Sequence, residues 1–169
     1  LGVTGETTAT GNLKVDTISE ITSAGGVTID GVVLKDSGIT ATGTIKLDGN
    51  YPTNSGNVAL GDTALDSLTS GASNTAIGSA ALTANTSGGS NTAVGNVAAT
   101  SNTTGDNLSA FGRYALYGNT TGSNNTGLGF QSLMGNTTAS NNTAVGYQSL
   151  FANTTADYNT SVGTSSLTD

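Results

Sequence analysis

One spacing governs this chain. From residue 61 onward a glycine returns every 17 residues, at Gly61, Gly78, Gly95, Gly112, Gly129, Gly146 and Gly163. Its neighbours keep the same step. Four residues before each glycine stand Asn57, Asn74, Asn91, Leu108, Asn125, Asn142 and Asn159. Immediately before it stand Leu60, Ile77, Val94, Phe111, Leu128, Val145 and Val162, and four residues after it Leu65, Leu82, Ala99, Leu116, Leu133, Leu150 and Leu167. An Asn-Thr-Ser/Thr triplet starts at Asn85, Asn102, Asn119, Asn136 and Asn153. A single period held through seven copies is the signature of a repeat architecture, each copy being one supersecondary unit.

The unit reads N-T-A-V-G-x-x-[AS]-L-x-x-N-T-T-G-x-N. N-T-A-V predicts a short strand of small, β-tolerant residues. The glycine marks a bend or a close backbone approach, the segment ending in Leu predicts a second short strand, and N-T-T-G predicts a turn. Strand, bend, strand and turn make one coil of a β-solenoid or β-roll. The expected apolar core is the residue before each glycine together with the later leucine: Leu60, Ile77, Val94, Phe111, Leu128, Val145 and Val162 with Leu65, Leu82, Leu116, Leu133, Leu150 and Leu167.

Two large apolar side chains, at roughly 1.5–3 kcal/mol each, do not offset the ordering entropy of a whole coil. Stacking is therefore obligatory. The interior still looks thin for one chain, so the expectation is an all-β, repetitive β-roll wound as an intertwined homotrimer. The small row Ala59, Ala76, Ala93, Ala110, Gly127, Ala144 and Ser161 is then the expected close-approach face between chains.

Residues 1–50 differ, holding six of the eleven acids and three of the four bases. "GGVTIDGVVLKDSGIT" places Asp30-Gly31 between two alternating apolar runs, a hairpin signal. "TATGNLKVD" at 8–16 is echoed by "TATGTIKLD" at 40–48, so strands flank that hairpin. The expected organisation is a small all-β module over 1–50, a junction over 51–56 with the chain's only Pro, and the repeat array over 57–169. The chain opens on Leu1 and its last copy stops before its turn, which suggests a piece of a longer protein.

Composition narrows the function. Only 9% of the residues are charged and the net charge is −7. The four cations, Lys14, Lys35, Lys46 and Arg113, form no basic cluster, so no nucleic-acid partner is expected. No apolar run reaches the length of a membrane span, and no insertion is expected. With neither His nor Cys, His- or Cys-based catalysis is excluded, and so is zinc held by those ligands. Asp62 with Asp66, and Asp16 with Glu20, are the nearest carboxylate pairs, and each reads more simply as solvated loop charge. The acids do not follow the repeat, so calcium has no periodic site. No catalytic, cofactor-binding or metal-binding residue is expected, and the chain reads as no enzyme. The Asn-Thr-Ser/Thr triplets match the N-glycosylation pattern; because they occupy a fixed repeat position, they read instead as turn residues stacked in hydrogen-bonded ladders.

All of Phe111, Tyr114, Tyr117, Phe130, Tyr147, Phe151 and Tyr158 lie in the last four copies. They read as a covering wall, or as a surface for a sugar or a protein.

The units "NTAIGSAALTANTSGGS", "NTGLGFQSLMGNTTASN" and "NTAVGYQSLFANTTADY" resemble repeats of phage tail-fibre and related virion-fibre proteins, and "SEITSAGGVTIDGVVLKDSGI" resembles a segment that precedes such repeats. N-T-A-V-G is more distantly similar to the head repeats of trimeric autotransporter adhesins, which form intertwined β-rolls, though the period here is longer. The resemblance implies a structural fibre shaft of a virion that projects a host-recognition tip. Its partners would be its own copies in a homotrimer, other virion or fibre proteins, and a host-surface glycan or protein. The alternative it implies is a bacterial trimeric surface adhesin whose roll binds host glycans or matrix.

Overall fold

The structure is a computed structural model and describes residues 56–168. The N-terminal module, its hairpin and the two echoed strands, with the junction up to residue 55, lie outside the described residues.

Each repeat contributes one three-residue strand: β1 (Val58–Leu60), β2 (Thr75–Ile77), β3 (Thr92–Val94), β4 (Ser109–Phe111), β5 (Thr126–Leu128), β6 (Thr143–Val145) and β7 (Thr160–Val162). They pair in chain order, all parallel. Ala76 lies opposite Ala93, and Ile77 opposite Val94, so the 17-residue sequence step is also the register of the sheet. A chain that returns to the same place after every repeat is a β-solenoid. Six steps at about 4.8 Å give the stacked strands a length of roughly 29 Å.

A three-residue strand turns its middle side chain one way and its outer two the other. Here the middle one points in: Ala76, Ala93, Ala110 and Ala144 are fully buried. Facing them across the coil are the buried Leu65, Leu82, Ala99, Leu116, Leu133 and Leu150, with a third small column at Ala64, Ala81, Ala98, Ala115, Ser132 and Ser149. Leu167, in the last described coil with a neighbour on one side only, is 58% exposed.

This corrects half of the expected core. Leu60, Ile77, Phe111, Leu128 and Val162 are 38–69% exposed, and Val94 and Val145 only half-buried. The reason is room. A Cβ placed on Gly127, in the alanine column, already reaches 3.0 Å from Ser132 Oγ and 3.4 Å from Leu116 Cγ. One large and two small side chains per coil fill the section, and a second large one has no place. The alanine row is accordingly the inner wall of a core that closes within one chain, and an intertwined trimer is not needed to bury it. We expect Leu133→Ala to cost about 3 kcal/mol and Leu128→Ala under about 1 kcal/mol, as an exposed position; urea unfolding of the two variants would separate inside from outside.

The segment after the glycine is no second strand. In it the backbone takes positive φ at alternate residues, for example Gly129 (131°), Gln131 (57°) and Leu133 (51°). The N–H of Gln131 donates back to Arg113 O at 3.1 Å, that of Ser132 to Gly129 O at 3.3 Å, and that of Leu133 forward to Ser149 O at 3.0 Å. This tight corner bonds to both neighbouring coils. A leucine in the left-handed region costs on the order of 1–2 kcal/mol, which its full burial offsets.

Two amide columns close the remaining interior. Asn85, Asn102, Asn119 and Asn136 are completely buried. Asn119 Nδ2 donates to Asn102 Oδ1 and to Gly122 O, each at 2.9 Å, and Asn136 Nδ2 donates to Asn119 Oδ1 at 2.7 Å. In the second column the Oδ1 of Asn57, Asn74, Asn125 and Asn142 accepts the backbone N–H of the asparagine one coil on, at 2.8–3.0 Å. Leu68 begins the first column and Leu108 interrupts the second, both buried. The Asn-Thr-Thr asparagines thus serve as interior rungs rather than positive-φ turn residues. That conformation falls one residue before the other column, at Ser73, Ser90, Asn107, Asn124, Asn141 and Tyr158.

Candidate functional site

Function in a sealed solenoid has to be carried on its outside. The outward strand positions form two parallel columns. The first is Val58, Thr75, Thr92, Ser109, Thr126, Thr143 and Thr160; the second is the apolar stripe Leu60, Ile77, Val94, Phe111, Leu128, Val145 and Val162. Every stripe residue is apolar, and none of the fourteen outward strand residues is charged.

Beyond the stripe the chain bends at the repeat glycine. Phe130 and Tyr147 follow it in successive coils and stack with centroids 5.5 Å apart and an interplanar angle of 12°. Tyr114 meets Phe130 edge-on at 6.2 Å and Tyr117 at 5.4 Å. The Arg113 guanidinium lies 4.7 Å above the Tyr114 ring. The four rings therefore spend much of their faces on each other, bracing three consecutive coils, while Tyr117 and Tyr147 remain 37% and 48% exposed. Phe111 belongs to the stripe, Phe151 is half-buried, and Tyr158 stands 80% exposed. Beside the rings Gln148 Nε2 donates to Gln131 Oε1 at 2.8 Å.

Polar columns occupy the rest of the wall. Thr69, Thr86, Thr103, Thr120 and Thr137 each donate their Oγ1 hydrogen to the threonine carbonyl one coil on, at 2.8–3.0 Å. The N–H groups of Gly89, Asp106, Ser123 and Ser140 donate to Asp106 Oδ1, Ser123 Oγ, Ser140 Oγ and Asp157 Oδ1 in turn. Asp62 and Asp66 are both exposed on the first coil, and Asp16 with Glu20 lies outside the described residues. Among the described residues no group of three or more His, Cys, Asp or Glu is placed to hold a metal ion, and no helix is long and apolar enough to cross a membrane. In the folded coil Asn85, Asn102, Asn119 and Asn136 are inaccessible to a glycosylating enzyme.

The repeat glycines do lie at one bend of successive coils, with φ between 130° and 137° from Gly61 to Gly163. Which way the strand faces is what sequence reasoning missed, and a signal for it exists. The middle strand position holds only Gly, Ala or Ser, whereas the residue before the glycine ranges from Val to Phe. A cramped interior imposes the first pattern, and an open surface tolerates the second.

Comparison with known protein families, with curated proteins and with solved structures finds no match to this chain.

Proposed function

We propose that the chain is the structural shaft of a virion fibre, of the phage tail or capsid type, and that it acts outside the cell by holding a host-recognition tip away from the particle. The observation that carries this reading is the in-register stack of like coils tied by amide and hydroxyl ladders. Such a stack resists bending and compression, and its length grows by a fixed step per repeat. The similarity of its units to virion-fibre repeats supports the same assignment, as does a wall made of hydrogen-bonded columns. Its partners in this reading are further copies in a homotrimer, other fibre or virion proteins, and a glycan or protein of the host surface.

One observation favours a second reading, a bacterial surface adhesin: the partly exposed rings of Tyr117 and Tyr147 offer contact area on the side of the solenoid. Immunogold labelling with antibody raised against the repeat array separates the two. Gold along the fibres of purified particles is the expected result. Gold on the bacterial cell surface, with unlabelled particles, would replace the shaft by the adhesin.

A further inference from the structure

Among the described residues the seven strands form a parallel sheet with one covered face. Parallel sheets are ordinarily buried on both. The inner face packs on the Leu and Ala columns, while the outer carries Leu60, Ile77, Val94, Phe111, Leu128, Val145 and Val162 as an unbroken apolar ridge. We propose that this outer face joins copies of the chain side by side, parallel and in register.

Three features of the face select that occupant. The ridge repeats at the strand spacing, about 4.8 Å, through all seven coils, so a partner that fits each gap must carry the same axial step. Another copy of this array has it by construction. The chain is net −7, which opposes self-association, yet its acids are kept off the outward strand positions. Finally, Phe130, Tyr147, Tyr114 and Tyr117 broaden the apolar wall in coils 4 to 6 only. In a parallel, in-register pair the rings of both copies stand at the same height, in the same three coils. An antiparallel pair centred on Phe111 sets Phe130 beside the coil of Asn96, and Tyr147 beside that of Ser79.

The inference deepens the fibre-shaft reading and rests on it for the common direction of the copies; the association itself rests on the face. A ridge roughly 29 Å long and one strand wide is smaller than the about 800 Å² per partner of a standard interface. Association of this seven-coil piece is therefore expected to be concentration-dependent.

The chain has no Cys, which makes the test clean. Single-cysteine versions of the full chain, Ile77→Cys, Phe111→Cys, Val145→Cys and, on the exposed turn, Thr121→Cys, are treated with a bis-maleimide of about 10 Å reach, the spacing of stacked sheets. Linked chains from all three ridge variants and none from Thr121→Cys are expected. Linkage of Phe111→Cys alone would overturn the parallel register. No linkage from any ridge variant, with a single-chain mass in sedimentation up to about 1 mM, well above the affinity of a weak specific contact, would overturn the association and leave the immunogold result untouched. Leu128→Lys, a change at an exposed site, should return the mass to a single chain with an unchanged circular dichroism spectrum; an unchanged mass would also count against the face.

Discussion

Asn119→Asp should destabilise the solenoid by about 5 kcal/mol at neutral pH, more than any core truncation considered above. The side chain is fully buried and uses its amide in both senses. Nδ2 donates to Asn102 Oδ1 and Gly122 O, and Oδ1 accepts from Asn136 Nδ2. A carboxylate keeps the accepting half and loses the donating half. It would then point its second oxygen at two acceptors 2.9 Å away, with no cation nearby. Breaking a buried polar pairing in this way costs about 3–5 kcal/mol, before the lost rungs are counted.

The pH dependence gives the variant a signature that a cavity would not have. Desolvation and facing acceptors raise the folded-state pKa of this carboxyl above its unfolded value of about 3.9. The protonated form can donate one hydrogen bond and carries no charge. The deficit relative to the parent is thus smallest below about pH 4, and it grows as pH rises towards the folded-state pKa. Urea midpoints of both proteins, compared at pH 3.5 and pH 7.5, read this directly. A deficit independent of pH would mean that the site hydrates and the ladder is not sealed.

The same residues show what could be read from the chain and what could not. The period, the parallel stack, the bend at the glycines and the stacked asparagines all follow from spacing, because a repeat that returns every 17 residues brings like residues together whatever the path between them. The path itself is less legible. The T-A-V strand has a period of two, and three residues carry too little contrast to say which side faces in: burying Val and Leu looked better than burying Ala and Leu. The answer depends on the width of the coil. That width is set by the corner from Gly129 to Leu133, whose alternating positive φ no residue but the glycine announces. Gln131 and Leu133 have no intrinsic preference for the left-handed region; the inter-coil hydrogen bonds of Gln131 and Leu133 hold them there. The same ambiguity hides the outer apolar ridge, whose residues the pattern alone places in the core. Two local details show how closely the interior is fitted. Where Ser161 enters the alanine column, Ser149 of the coil before donates to it at 2.9 Å, and where Ser132 enters its own column the facing residue is Gly127.

The glycine column makes the second large expectation. Gly112→Ala should cost about 4 kcal/mol and split the array at its centre. The residue has φ of +132°, outside the range that residues with a Cβ adopt, and an added methyl carbon would sit 2.5 Å from Gly129 O and 2.7 Å from its carbonyl carbon. Those atoms belong to the backbone of the next coil, which cannot swing aside as a side chain would. Strain of this kind costs on the order of 1–3 kcal/mol, and overpacking adds about as much again. Gly122→Ala is the informative comparison. A methyl there crowds the Ala139 carbonyl more tightly still, with Asn119 Oδ1 at 2.8 Å and Asn125 Nδ2 at 3.0 Å, but Gly122 lacks the positive φ, and its column already holds Ala139 and Ala156 in later coils. It should therefore cost less by the strain of the positive φ, on the order of 1–3 kcal/mol. Because each coil of a solenoid touches only its neighbours, the Gly112 lesion should also loosen coils 3 to 5 before the rest. Hydrogen exchange at the N–H groups of Gly95, Gly112 and Gly129, which donate across successive coils at 2.8–2.9 Å, reports this locally. Equal losses for the two variants, or protection lost uniformly along the stack, would mean that coil-to-coil crowding rather than backbone conformation fixes glycine at the bend.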